Sequence, residues 1–229
     1  MAAAASSLLS FSKVPRLTAL PRRLSSQGTW KVRFGIDTVR ANASFGRARV
    51  SAEEKKDVRP IIVIDNYDSF TKNPKGILIS PGPGAPQDSG ISLQTVVELG
   101  PSIPLFGVCM GLQCIGEAFG GKIVRSPSGV RHGKSSLVYY DEKLGEILFD
   151  GLSNPFSACR YHSLIIEKET FPSDKLEITA WTEDGLIMAA RHKKYKHIKG
   201  VQFHPESIIT PDGKMMILNF IKFLDKFHL

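Results

Sequence analysis

Short apolar runs recur along the middle of the chain and predict a buried parallel sheet. Ile61–Ile64 and Ile77–Ile79 are apolar and rich in β-branched residues, which is typical of strands covered on both faces. Leu105–Val108 is a third such run, and it leads through a glycine-containing turn into a helical segment. We therefore expect an α/β fold with an open, mostly parallel sheet flanked by helices.

The pattern changes between Ser135 and Ala190, where alternating runs replace the wholly apolar ones. Leu176–Trp181 alternates apolar with polar side chains, and the turn residues Glu183-Asp184-Gly185 follow it. Such runs predict antiparallel strands that cover or extend the parallel sheet.

Three segments have helical periodicity. We expect helices at about Ser92–Leu99, Gly111–Phe119 and Met215–Phe227, the last behind the start signal Thr210-Pro211. The last helix has an apolar face, which carries Ile217, Phe220, Ile221 and Leu224.

The charge of the chain is concentrated at its N-terminus. The formal net charge is +8, and residues 1–52 hold nine Lys or Arg against Asp37 alone, whereas residues 53–229 carry 21 basic and 21 acidic residues. The folded part is thus formally neutral, so the basic excess gives no electrostatic reason to expect nucleic-acid binding. No apolar run is long enough to cross a bilayer, so we expect no membrane partner.

Cys109 occupies the turn between the third apolar run and its helix. Gly107 and Gly111 flank it, and glycines let such a turn bend tightly and approach a substrate. A helix N-terminus favours the nucleophilic thiolate through its free N–H groups and dipole. Gln113 lies four residues later, on the same side of the helix. A lone cysteine in an apolar run is most often a small buried hydrophobe, so the thiol needs partners to indicate catalysis.

Two other segments could supply those partners. Ser80–Gly84 is a rigid Pro/Gly turn that either aims N–H groups at an oxyanion or serves only as a turn. His204 and Glu206 flank a proline just past the predicted strand 200–203. Strand alternation would point both side chains the same way, and the carboxylate would hold the imidazole in one tautomer.

Together these residues resemble the class I glutamine amidotransferases, and within that class the glutaminase subunits of plant anthranilate synthases. The resemblance runs from about Arg59 to the C-terminus on four motifs: Asp65-Asn66-Tyr67-Asp68-Ser69-Phe70, Ser80-Pro81-Gly82-Pro83-Gly84, Tyr161-His162-Ser163-Leu164 and Phe203-His204-Pro205-Glu206-Ser207. It implies a flavodoxin-like sheet and a catalytic triad of Cys109, His204 and Glu206.

The resemblance also implies roles for the residues around the triad. The oxyanion hole would use the N–H groups of Met110 and of either Gly82 or Gly84. The expected substrate-binding residues are Gly82, Pro83, Gly84, Gln113, Ser163 and Leu164.

L-glutamine is the substrate that the resemblance implies, and its ammonia would pass to a separate chorismate-binding alpha subunit in tryptophan biosynthesis. The expected assembly is a heterotetramer, with Mg²⁺ on the partner and no cofactor in this chain. Three alternatives remain: the glutaminase of aminodeoxychorismate synthase, a truncated isoform that only binds the partner, and an unrelated cysteine hydrolase. Carbamoyl-phosphate and guanylate synthetase glutaminases fit less well at Ser80–Gly84.

Residues 1–52 are rich in Ser and Arg and nearly free of acidic residues, which is typical of an organelle transit peptide; a disordered regulatory tail is the alternative. The plant-like resemblance favours the plastid stroma, with cleavage between Arg40 and Glu53. We expect a linker at 53–59 and the glutamine amidotransferase domain at 60–229.

One connection is shorter than the predicted fold requires. Only twelve residues separate Ile64 from Ile77, whereas a parallel crossover takes a dozen or more and usually contains a helix. The family places a helix and a second strand here, so we expect that roughly 30 residues are missing after Thr71, a change beyond ordinary loop variation.

The remaining candidate ligands form no recognisable site. Cys114 and Cys159 fit neither a disulfide framework nor zinc-ligand spacing, and the six histidines form no cluster in the sequence. We expect no metal in this chain.

Overall fold

The structure is a computed structural model, and it describes residues 59–64, 74–127, 129 and 131–227. Three predictions lie outside these residues: the leader with its cleavage site, the Asp65–Phe70 motif, and the point after Thr71 where a segment is expected to be missing.

Ten strands and four α-helices follow one another along the described chain. The strands are β1 (Ile61–Ile64), β2 (Gly76–Ile79), β3 (Leu105–Val108), β4 (Ile123–Arg125), β5 (Arg131–Tyr140), β6 (Phe156–His162), β7 (Leu164–Ile166), β8 (Leu176–Thr182), β9 (Ile187–His192) and β10 (Ile198–Val201). The helices are α1 (Ser92–Glu98), α2 (Met110–Ala118), α3 (Glu142–Gly145) and α4 (Gly213–Phe227), with a 3₁₀ turn at Pro86–Asp88.

Eight of the strands form one mixed sheet, in the order β1-β2-β3-β10-β9-β8-β5-β6. The first four are parallel, and β10 joins them to the antiparallel half by pairing parallel with β3 and antiparallel with β9. This arrangement confirms the predicted α/β class with added antiparallel strands. The small β4–β7 sheet and α3 were not predicted, because both elements are too short to show a clear hydrophobic period.

The two faces of the parallel half bury different helices. Ile62 and Ile77 share one core cluster with Val96 of α1 and Ile115 of α2. On the opposite face, Phe106 packs against Phe220 of α4 at a ring-centroid distance of 5.2 Å. The sheet is therefore covered on both sides behind the β3–α2 turn, which gives that turn a rigid base.

The apolar face of α4 differs from the predicted one. Phe220 and Leu224 are buried as expected, but Ile221 is 36% exposed, and Met216 takes the inner position instead. Contact with Phe106 turns the helix so that Phe220 points to the core, which leaves Ile221 at the rim. Among the described residues, no helix combines the length and apolar character needed to span a membrane.

In the part of the chain that the structure describes, strand β1 forms one edge of the sheet and pairs with β2. Val63 on this strand is 51% exposed, while Ile62 and Ile64 on its other face are buried. The face of β1 that carries Val63 thus has an apolar side chain with little cover from the described part of the chain.

Candidate active site

Cys109 sits at the junction of β3 and α2 in a backbone conformation rare for a residue with a side chain. Its dihedral angles are φ 52° and ψ −97°, and it has the only positive φ among the described non-glycine residues. The carbonyl of Val201 accepts a hydrogen bond from its N–H at 2.8 Å. Strained conformations of this kind concentrate at functional sites, and Cys109 lies in the predicted turn between strand and helix.

Gly107 and Gly111 are needed for a different reason from the predicted one. Neither has a positive φ, so the bend itself falls on Cys109. A Cβ on Gly107 would lie 2.4 Å from the carbonyl carbon of Gly111, and one on Gly111 would lie 2.7 Å from the carbonyl oxygen of Ile79. The glycines let the first turn of α2 lie directly on the ends of β2 and β3.

His204 and Glu206 form the predicted pair. Nδ1 of His204 lies 2.6 Å from Oε1 of Glu206, with the histidine side chain 12% exposed and the carboxylate 53% exposed. The reason given for their alignment was wrong: β10 ends at Val201, and the pair lies in a turn closed by the Ser207 N–H donating to the His204 carbonyl.

The environment of His204 favours the charged ring. Burial lowers its pKa, but the neighbouring Cys109 thiol and Glu206 carboxylate outweigh burial and raise the pKa to about 10. Nε2 is buried, and the Cys109 side chain raises the pKa both as a hydrogen-bond partner and through its charge. The site therefore favours a charged imidazolium beside the Cys109 sulfur.

A buried threonine holds the turn that carries His204. The Thr210 hydroxyl donates to the His204 carbonyl at 2.7 Å and accepts from the Cys159 N–H at 3.0 Å. The His204 N–H in turn donates to the Cys159 carbonyl at 3.0 Å. Strand β6, which contains Cys159, and the histidine turn are thereby fixed to each other.

A cleft of about 150 Å³ opens over the thiol. It brings together the glycine-proline turn, the nucleophile and the start of β7, and its lining consists of Gly82, Pro83, Gly84, Cys109, Gln113, Tyr161, His162, Ser163 and Leu164. All six predicted substrate-binding residues are in this set. The cleft has room for a molecule the size of an amino acid.

The structure also shows how the oxyanion candidates lie relative to the thiol. Gly82 and Gly84 line the cleft. Gly84 has a φ of 84°, which residues with a side chain rarely adopt. Met110 is the first residue of α2, and the N–H of such a residue has no carbonyl partner inside its own helix. Both sources of N–H groups thus adjoin Cys109.

Sequence reasoning missed several residues of the site. Tyr161 packs edge-on against His204, with ring centroids 5.5 Å apart, and it lines the cleft together with His162. Gln202 contacts Cys109, and Thr210 holds the histidine turn. Tyr161 and His162 belong to the Tyr161–Leu164 motif, although no role in the site was predicted for them. The only sequence signal for Gln202 is that it lies two residues before His204.

The other cysteines are unsuited to nucleophilic chemistry. Cys114 and Cys159 are both fully buried, and burial raises the pKa of the Cys114 thiol to about 11. A wider cleft of about 410 Å³, lined by Ser136, Arg160 and Thr182 among others, contains no thiol. Within the described ranges, no group of His, Cys, Asp or Glu could hold a metal ion.

Comparison with known proteins places this arrangement in a family. Residues 42–223 match the sequence profile of the class I glutamine amidotransferases. The chain is 65% identical to anthranilate synthase beta subunit 1, chloroplastic, of Oryza sativa subsp. japonica, over 78% of this chain and 72% of that one. It is 66% identical to the Arabidopsis thaliana protein of the same name, over 77% and 75%, and 50% identical to anthranilate synthase component 2 of Cyanophora paradoxa, over 72% and 100%.

Solved structures show the same fold at lower identity. A candidate GMP synthase component of Thermoplasma acidophilum superposes with a TM-score of 0.63 at 22% identity, covering 74% of this chain and 96% of that one. A glutamine amidotransferase of Thermotoga maritima gives 0.52 at 16% identity, covering 71% and 69%.

The alignments also measure the expected missing segment. The match to the rice protein spans 208 positions but uses 78% of the 229 residues of this chain, or about 179, so about 29 positions of the alignment have no residue of this chain. The Cyanophora match spans 194 positions and uses 72%, or about 165, which again leaves about 29. The deficit agrees in size with the segment expected after Thr71.

The chain belongs to the class I glutamine amidotransferase family.

Proposed function

We propose that this class I glutamine amidotransferase is the glutaminase component of an anthranilate synthase, hydrolysing L-glutamine and supplying ammonia to a chorismate-using partner. One observation carries the proposal: the strained Cys109, the His204–Glu206 pair and an amino-acid-sized cleft meet at one place. The plant relatives named as anthranilate synthase beta subunits support the choice of partner.

In the first half of the reaction, the Cys109 thiolate attacks the side-chain amide carbon of glutamine. The negative charge moves to the amide oxygen, where the N–H groups of Met110 and of Gly82 or Gly84 would receive it. His204 holds the proton that came from the thiol and delivers it from Nε2 to the amide nitrogen. The carbon–nitrogen bond breaks, ammonia leaves, and a γ-glutamyl thioester remains.

In the second half, water attacks the thioester and His204 takes one of its protons. The carbon–sulfur bond breaks, glutamate is released and the thiolate returns. Glu206 keeps Nδ1 of the ring protonated, so Nε2 always faces the chemistry. Gln113 and the Ser163-Leu164 backbone are assigned to the amino-acid end of glutamine, because they line the cleft beside the thiol.

Ammonia then needs a second active site. We assign chorismate and Mg²⁺ to an alpha subunit in a heterotetramer, and we assign no cofactor to this chain. The leader at residues 1–52 is assigned to plastid import, and the curated plant relatives are named chloroplastic, which supports a stromal location.

The short connection after β1 favours a second candidate, an isoform that binds the synthase subunit with little or no glutamine turnover. Its basis is the deficit of about 29 aligned positions against the rice relative, combined with the half-exposed Val63 on the edge strand. The catalytic groups are present in both candidates, so only turnover separates them.

Co-purification with a plant anthranilate synthase alpha subunit, followed by an assay of anthranilate formation, tests both candidates. We expect glutamine-dependent synthesis, which Cys109→Ser abolishes while synthesis from added ammonium salt persists, because ammonia supply and chorismate chemistry lie on different chains. Binding without glutamine-dependent synthesis would favour the isoform. Loss of both activities in Cys109→Ser would contradict the assignment of ammonia supply and chorismate chemistry to different chains. If glutamine-dependent synthesis occurred only with an aminodeoxychorismate synthase partner, that enzyme would be the partner in place of the alpha subunit.

A further inference from the structure

Gln202 is a fully buried amide next to the nucleophile, and neither the triad nor the cleft accounts for it. It has no exposed surface, and its N–H donates to the Met188 carbonyl at 2.8 Å, which fixes its backbone between β10 and the histidine turn. Its side-chain Nε2 donates to Sγ of Cys109 at 3.5 Å. Burying a side-chain amide costs folding free energy unless the amide makes its hydrogen bonds.

The hydrogen-bond partners determine which end of the Gln202 amide faces the sulfur. The Leu164 carbonyl can only accept, so the group of Gln113 that lies 3.1 Å from it is Nε2. The same Nε2 lies 3.4 Å from Oε1 of Gln202 and donates to it. With its oxygen engaged by Gln113, Gln202 presents its NH₂ group to Cys109.

We propose that Gln202 is a catalytic residue that stabilises the Cys109 thiolate by hydrogen bonding and connects it through Gln113 to the loop at Leu164. This proposal builds on the proposed glutaminase function. Gln202 does not line the cleft, so it acts on the sulfur and not on glutamine. The Cys109 sulfur thus receives an N–H donor from Gln202, and the connection to Leu164 keeps that donor in place.

Two variants of the full chain test the role. Gln202→Glu replaces the NH₂ group by oxygen and presents an acceptor to the sulfur, while Gln202→Met keeps the length and removes both polar groups. Asn219→Asp is the matched control, because Asn219 is a buried amide that donates to the carbonyls of Leu148 and Asp150 away from the cleft. Iodoacetamide labelling of Cys109 at neutral pH, read by peptide mass spectrometry, reports on the thiolate without requiring glutamine turnover.

We expect both Gln202 variants to label Cys109 at least about tenfold more slowly, since a hydrogen bond to a charged group is worth about that factor or more. The control should label at the wild-type rate. With the partner present, kcat should fall about tenfold, while KM for glutamine should change much less. Equal labelling rates in folded Gln202→Met and wild type, with circular dichroism as the check on folding, would overturn the proposal. If labelling slows in a chain without glutaminase activity, the role of Gln202 stands and the proposed function fails.

Discussion

At the residue scale, the site depends on the groups that contact the Cys109 sulfur and the His204 ring. Glu206 contacts His204 through one short hydrogen bond, and more than half of the carboxylate surface faces solvent. Water can therefore take over part of its role when it is removed. No such substitute exists for the sulfur or for the buried Nε2 of His204.

Glu206→Gln should lower glutamine hydrolysis yet leave it measurable, at roughly 10- to 1000-fold below wild type, because an orienting carboxylate acts through geometry and tautomer. Cys109→Ser or His204→Ala should each be nearly inactive. The measurement is steady-state glutaminase activity with the alpha subunit present. An inert Glu206→Gln would assign Glu206 a larger role than orientation, and a fully active one would remove it from the triad.

His204 should make stability depend on pH above neutrality. The cysteine and carboxylate raise its pKa from 6.5 to about 10 against the effect of burial, so the folded state keeps a proton that the unfolded chain loses. The resulting stabilisation is complete below pH 6.5 and disappears as pH rises through about 10. The contribution of His204 to the free energy of unfolding should therefore fall between about pH 7 and about pH 9. Burial lowers the pKa of Lys199 to about 7, which adds a slope of opposite sign in the same range. Urea unfolding of wild type and His204→Gln at matched pH isolates the His204 contribution, because Lys199 is common to both chains.

His197→Gln is the control for this slope. Burial lowers the pKa of His197, so its contribution to stability changes only on the acid side of its ordinary value, and the slope above neutrality should stay that of wild type. A His204→Gln slope equal to wild type would show that the ring is neutral in the folded protein.

At the element scale, the contact between α2 and the sheet decides where the thiol points. A methyl group on Gly111 would meet the backbone carbonyl of Ile79, which cannot move without displacing β2. We expect Gly111→Ala to lower the free energy of unfolding by about 1–3 kcal/mol and to slow labelling of Cys109. Gly116→Ala on the same helix is the control, since its methyl group would meet the Ile166 side chain, at Cδ1 and Cγ1, and no backbone atom of a neighbouring strand. Thermal melting and iodoacetamide labelling of both variants check this, and equal effects would show that the close backbone approach does not position the thiol.

Much of this arrangement could be predicted from the sequence, and the failures have physical causes. The Cys109 turn was predictable because two glycines flank the cysteine where an apolar run passes into a helical pattern, although these glycines allow close packing and do not form the bend itself. The His204–Glu206 pair was found for a wrong reason, because the end of β10 depends on its pairing with β9 and not on local alternation. Gln202 was missed, since a polar residue between Val201 and Phe203 looks like an exposed strand position until the sheet covers it.

At the scale of the whole molecule, this chain lacks a segment that its relatives have, and the sequence predicts the loss in the connection after β1. The chain keeps a site with every predicted part, yet about 29 positions of the rice alignment have no residue here. The strand bordering this connection, β1, is the sheet edge and carries the half-exposed Val63. The helix and strand that the sequence predicts to be missing would bury several large apolar residues, each worth about 1.5–3 kcal/mol, a sum comparable with the whole stability of a domain.

Restoring the corresponding segment of the rice relative after Thr71 should therefore raise the melting temperature and increase glutaminase turnover with the alpha subunit. The restored segment would cover Val63 and add a strand beyond the present edge, so its effect should come from buried area. A second chain, with a Gly/Ser spacer of the same length, separates burial from loop length, because a flexible loop of that size adds little closure entropy. Circular dichroism melting of the three chains under identical conditions is the measurement. If neither the native segment nor the spacer changes the melting temperature, the present fold is complete without the segment. Any low glutaminase turnover would then need another cause.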